Sequence, residues 1–180
     1  VALCEGVGLF VNYSSSNRIL NNTLLENGAG MFFSGSSGNV LKNNTMNGNS
    51  RNFGVEADFF ALPLSDFIHD IDASNTVNGK PVYYWVNQHD RDVPADAGYV
   101  ALVNSTNITV ENQSLTNNTQ GVLTAYTTYS TISNVNVTSN DYGITLFCSS
   151  FTDVFESNVI KNNAGVFLYS SNTNTITHCM

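Results

Sequence analysis

The sequence predicts an all-β fold, a parallel β-solenoid of seven to eight coils with about 22 residues in each. Three observations carry this. Glycines recur at a step of 22, Gly8 and Gly30 near the start and Gly121, Gly143 and Gly165 near the end, with Asn52 and Tyr99 at the same phase. Residues one and three after each marker are apolar, and a second and third apolar position follow later in the coil, which is the pattern of three short strands per turn. Asparagine stands at one fixed phase in five coils, Asn27, Asn49, Asn118, Asn140 and Asn162. Coils stacked at the ordinary strand spacing bring these amides into a ladder.

Taken in order, Leu9, Val11, Ile19 and Leu24 form the inward face of the first coil, and Met31, Phe33, Leu41 and Met46 that of the second. Phe53 and Val55 open a third, after which the spacing to the next marker lengthens and residues 56–98 form an irregular coil with insertions. There "ADFFALPLSD" is an apolar excursion that must lie against something. Ile68 and Ile71 precede an Asn78-Gly79 turn, Val82 to Val86 read as a strand, and "NQHDRDVPADAG" reads as an acidic loop. Regular coils resume at Tyr99 with Val100, Leu102, Val110 and Leu115, continue with Val122, Thr124, Ile132 and Val137, then Ile144, Leu146, Val154 and Val159, and reach Val166, Leu168 and Ile176. A second polar column reads Asn21, Asn43, Asn112, Asn134, Glu156 and His178. No 3.6-residue stripe competes, and Asn, Gly and Ser interrupt every apolar run.

One domain, 1–180, is therefore expected, with coils over 1–55 and 99–180. Its two ends fall at nearly the same phase and carry no cap, so the chain reads as a slice of a longer solenoid or as a subunit that stacks end to end. The start has neither a basic leader region nor an initiator methionine, which reads as a processed or excised piece.

Composition narrows the partners. The chain has 180 residues, 42% of them hydrophobic, only 11% charged, and a formal net charge of -8. No basic surface exists to neutralise phosphates, so nucleic acid is excluded as a partner, and no apolar run is long enough for membrane insertion as a helix. Asparagine-x-Ser/Thr sequons at Asn12, Asn21, Asn43, Asn104, Asn107, Asn112, Asn117 and Asn136 suit an exported, glycosylated surface protein. Cys4, Cys148 and Cys179 cannot all pair within one chain, and they lack the spacing of a zinc or redox motif. Cys4 and Cys179 lie near opposite ends and are placed to meet across a junction between copies.

The stretches "GITLFCSSFTDVFESNVIKNNAG" and "SNTVNGKPVYYWVNQHDRDVPADAGYVALVNSTNITVENQSLTNN" resemble the NosD-type β-helix proteins found at the surface of methanogenic archaea. The resemblance covers nearly the whole chain. It implies a right-handed parallel β-helix and an extracellular or cell-envelope location. Because such repeats occur in copper-site maturation proteins, in sugar-acting proteins and in envelope proteins, it leaves three functions open.

The residues weigh these three unequally. A sugar-cleaving β-helix needs paired carboxylates on one outer strand face, where the columns two and four after the marker offer only Glu56. No catalytic residue is expected. Metal ligation is weakly suggested by His89, Asp90 and Asp92 with Asp96, by Asp70 and Asp72 beside His69, and by His178 and Cys179 with Met180. None of these spacings fits a ligand pattern, Met31 and Met46 fall in inward columns, and no cofactor is expected. The outer aromatic stripe of Phe10, Tyr13, Phe32, Tyr126, Phe147, Phe167 and Tyr169 is an interface or a glycan-stacking face, or it packs against the inserted "ADFFALPLSD". The expectation is a non-catalytic surface protein whose partners are further copies, other envelope proteins or glycans.

Overall fold

A computed structural model describes residues 1–58 and 60–180. Phe59, part of the apolar excursion, lies outside the described residues. The chain is an all-β parallel solenoid with coils of about 22 residues over about eight turns, arranged as two stacks.

The first stack has three coils, β1 (Val7–Asn12), β2 (Arg18–Leu20) and β3 (Thr23–Leu25), then β4 (Ala29–Ser34), β5 (Val40–Lys42) and β6 (Thr45–Asn47), then β7 (Arg51–Glu56), β8 (Asp70–Ile71) and β9 (Thr76–Val77). Residues 57–69 are inserted between β7 and β8 and hold one 3-10 turn, Leu64–Phe67. The second stack begins with β10 (Lys80–Val86) and β11 (His89–Asp92) and continues with β12 (Tyr99–Val103), β13 (Thr106–Glu111) and β14 (Ser114–Thr116). Two full coils follow, β15 (Gln120–Ala125), β16 (Thr131–Ser133) and β17 (Asn136–Thr138), then β18 (Tyr142–Phe147), β19 (Asp153–Phe155) and β20 (Asn158–Ile160). The last coil holds β21 (Ala164–Tyr169) and β22 (Thr175–Thr177).

Register explains the repeat. Leu9 pairs with Met31 and Met31 with Phe53, and Val122 pairs with Ile144 and Ile144 with Val166, so each marker-plus-one residue sits directly above the next. Leu24, Phe33, Leu41, Met46 and Val55 are buried in the first stack, and Leu102, Val110, Leu115, Ile132 and Val137 in the second. Each such side chain contributes roughly 1.5–3 kcal/mol of burial.

Corners are held by side-chain amides. Asn27 Nδ2 donates to Asn49 Oδ1 at 2.9 Å, Asn140 Nδ2 donates to Asn162 Oδ1 at 3.1 Å, and the Asn118 backbone N–H donates to Asn140 Oδ1 at 3.0 Å. Two further ladders run through Asn17 to Asn39 and through Asn22, Asn44 and Asn75. Asn21, Asn43, Asn112 and Asn134 all have positive φ, 58°, 55°, 56° and 48°, the left-handed conformation that asparagine tolerates better than most residues.

One pairing departs from parallel stacking. β9 and β10 pair antiparallel, Val77 with Lys80, across the Asn78-Gly79 turn, and β10 then pairs parallel with β12. A single eight-stranded sheet, β3-β6-β9-β10-β12-β15-β18-β21, thus joins the third face of the first stack to the first face of the second. The acidic segment read from sequence as a loop is instead the strand β11, because His89, Arg91 and Asp92 align with Thr106, Ile108 and Thr109 of β13.

Candidate functional site

The two stacks meet where the first one ends. The outer edge of β7 pairs with no fourth coil. Instead the Asn52 amide donates to the Asn117 carbonyl, the Thr119 amide donates to the Phe53 carbonyl at 2.9 Å, and Gln120 Nε2 donates to the Val55 carbonyl at 3.2 Å. Glycine is required at position 54, since a β-carbon there would lie 2.2 Å from Thr119 Oγ1. Beside this seam the outward residues Ala101, Val103, Leu123, Ala125 and Phe147 of the second stack join the core of the first. The inserted segment closes it: Phe67 packs on Phe147 with ring centroids 5.7 Å apart, Tyr84 Oη donates to the Phe67 carbonyl at 2.6 Å, and Tyr126 Oη donates to the Leu62 carbonyl.

Glu56, the last residue of β7, stands at the rim of this seam. The turn into β18 brings Asp141 and Tyr142 beside it, and burial followed by the Asp141 charge raises the Glu56 pKa. Asp141 is itself held by Arg51 and by Asn163, whose Nδ2 donates to Asp141 Oδ1 at 2.8 Å. Three depressions share Glu56. One of about 210 Å³ is lined by Tyr13, Ser34, Ala57, Asp58, Tyr142, Phe147 and Phe167. Another of about 220 Å³ reaches Phe32, Arg51, Thr119 and Asp141, and the third, of about 430 Å³, runs along Arg51, Asp141 and Asn163. From sequence Glu56 is a lone carboxylate. Asp141 and Tyr142 were missed because they reach Glu56 only across the seam, which leaves no trace in the repeat; Arg51 on β7 and Asp58 just after it are near Glu56 in sequence but lie outside the two outward columns.

The aromatic stripe is divided by the same seam. Phe10 and Phe32 stack at 5.7 Å on the outside of the first stack, where Phe10 is 54% exposed. Phe147 is buried, with Phe167 and Tyr169 half-buried against it, each with its ring centroid 5.9 Å away. Tyr126 is half-buried under the insertion, and Tyr13 stays exposed with its hydroxyl donating to Asp58 Oδ2 at 3.2 Å. A second exposed pair, Tyr129 and Phe151, stacks at 4.8 Å with rings nearly parallel.

A family model described as periplasmic copper-binding protein (NosD) matches residues 3–60 and 70–180. The chain belongs to the NosD family. No curated protein and no solved structure matches it.

The NosD description raises copper, which requires soft thiolate and thioether groups or converging imidazoles. Among the described residues, no three of the His, Cys, Asp and Glu side chains gather into a group that could hold a metal ion. Met31 and Met46 are core residues, and Met180 is exposed. His69 is buried with Nδ1 accepting the Asn39 amide, while Asp70 and Asp72 face outward to Lys42. Asp90 accepts from Asn107 Nδ2 and its Oδ2 lies 2.9 Å from His89 Nδ1, contacts that hold its carboxyl below the ordinary range. Asp92 and Asp96 are exposed, and Asp96 accepts the Tyr83 hydroxyl. His178 is exposed and the Cys179 thiol faces the Thr177 and Val154 carbonyls. These donors do not fit copper in this NosD-family chain.

The cysteines are unpaired within the chain, with Cys4 exposed on the first coil and Cys148 and Cys179 half-covered. Seven of the sequon asparagines, Asn12, Asn21, Asn43, Asn104, Asn107, Asn112 and Asn136, are exposed, and Asn117 is half-buried at the seam.

Proposed function

We propose that this NosD-family chain is a non-catalytic structural β-solenoid of an extracytoplasmic surface, which associates with further solenoid coils through its last coil. The supporting observation is a break in burial down one column. Leu146 and Val154 are 0% exposed, whereas Leu168 and Ile176, their partners in the last coil, are 39% and 41% exposed. β21 and β22 also stand at the edges of their sheets. Apolar inward residues beneath unpaired strand edges make a surface that another coil covers, whether the same polypeptide or a neighbour supplies it. The family's periplasmic description and the exposed sequons favour a location outside the cytoplasm.

Sedimentation velocity and negative-stain electron microscopy test this. Concentration-dependent association, abolished by Leu168→Lys with Ile176→Lys and unaffected by reductant, is the expected result. Loss under reductant would shift the contact to Cys4 and Cys179, and a chain that stays monomeric at high concentration would overturn self-association.

A second reading rests on the parallel, exposed Tyr129 and Phe151 rings and on the Phe10 and Phe32 pair, flat platforms of the kind on which sugar rings stack. A glycan array checks it, with binding expected to fall on Tyr129→Ala or Phe10→Ala.

A further inference from the structure

The cavity of about 210 Å³ at the junction combines features that neither stack has alone. Its apolar wall is aromatic and comes from the second stack. Tyr142 and Phe167 lie with ring centroids 5.1 Å apart, and Phe147 meets Phe167 edge to face. Its opposite wall comes from the first stack and carries two carboxylates, Glu56 and Asp58, with the Tyr13 ring over Gly35. No Lys, Arg or His lines this cavity among the described residues.

The carboxylates differ in how they are held. Asp58 accepts the Tyr13 hydroxyl at 3.2 Å and the Phe60 amide at 2.9 Å. Its own amide donates to Asp66 Oδ2 at 2.9 Å, which places a third carboxylate behind the wall. Glu56 makes no side-chain hydrogen bond or ion pair among the described residues, and after burial the Asp141 charge raises its pKa further. Arg51 lines the neighbouring depressions rather than this cavity and is paired with Asp141. A half-buried carboxylate with no cationic partner among the described residues, in a cavity also lined by Tyr142, Phe147 and Phe167, leaves a position that a positive charge would satisfy.

We propose that this cavity is an aromatic cage for a small organic cation with a methylated ammonium head. A quaternary ammonium is weakly hydrated, and ring faces with one or two carboxylates replace its water well. A hard metal ion needs six or more oxygen ligands, which this wall does not offer. The room is that of several waters at about 30 Å³ each. The acidic chain, with a net charge of -8, favours entry of a cation. Glu56 supplies the counter-charge, Tyr142 and Phe167 supply the ring faces, and Tyr13 with Asp58 forms the rim.

Isothermal titration calorimetry on the full chain tests this with choline chloride and tetramethylammonium chloride. Sodium chloride, calcium chloride and 3,3-dimethylbutan-1-ol, the uncharged isostere of choline, are the comparisons. Saturable one-to-one binding of both ammonium ions is expected, with the alcohol weaker by roughly tenfold or more. Glu56→Gln and Tyr13→Ala should each weaken binding by about tenfold while the unliganded variants keep a cooperative melt. Absence of saturable heat with either ammonium ion would overturn the proposal. So would equal binding of the alcohol, displacement of choline by calcium, or full binding by both variants.

Discussion

Thr119 Oγ1 stands 2.2 Å from the point where a β-carbon would project from Gly54, so the two stacks touch through a position that admits no side chain. Gly54→Ala forces a buried threonine to move and is expected to destabilise the protein by about 1–3 kcal/mol. Adding Thr119→Gly should return part of that loss. Denaturant unfolding of the two single variants and the double variant measures the coupling directly.

Asn140 accepts the Asn118 amide and its Nδ2 donates to the Leu115 and Thr138 carbonyls and to Asn162 Oδ1, so one side chain serves four neighbours. Asn140→Ala leaves these groups unpaired in a buried corner, an expected loss of about 2 kcal/mol or more. Asn140→Asp keeps the acceptor but turns a carboxylate toward carbonyl oxygens, and it should cost at least as much. Thermal melts of both variants against Asn162→Ala, whose site is half-buried, check the ranking.

His69 is buried against Phe33 and Tyr84, and burial lowers its pKa to about 4. The unfolded chain takes up this proton at a pKa near 6.5. Stability is therefore full above pH 6.5 and falls as the pH drops toward 4, by about 3 kcal/mol over that window. Nδ1 accepts the Asn39 amide, so the neutral ring carries its proton on Nε2. The neutral ring is thus the form the fold accepts. A His69→Gln variant, itself less stable at neutral pH, should show a flatter stability profile between pH 7 and 4.

Asn78 and Gly79 both have positive φ, 49° and 77°, the combination that closes a two-residue hairpin between β9 and β10. Gly79→Val is expected to cost about 1–2 kcal/mol through backbone strain alone, since a β-carbon there meets nothing within 4 Å. Gly79→Asn should cost less. Urea midpoints of the two variants distinguish strain from lost packing.

Much of this fold could be read from residue spacing, because stacking copies one coil onto the next and each column is a physical contact. Leu9, Met31 and Phe53 lie 22 residues apart because they touch. The reversal at Asn78-Gly79 could be seen as a turn but not as a change in pairing, since an antiparallel step lengthens the spacing without altering the apolar alternation. A sign of the junction was present in the run "YVALV", apolar at every position. A strand buried on both faces reads this way, and Tyr99–Val103 is buried throughout. What covered that outer face was not encoded locally, since Phe67, Leu62 and the end of β7 reach it only in three dimensions. Glu56 and Asp141 lie in coils with no register between them.

The seam joining Asn52 to Asn117 and Val55 to Gln120 spans 65 residues of chain. During synthesis, at about 5–20 residues per second, the third coil is therefore made several seconds before the strands that cover it. The first stack therefore waits with an apolar end open to solvent until the later coils are made and cover it.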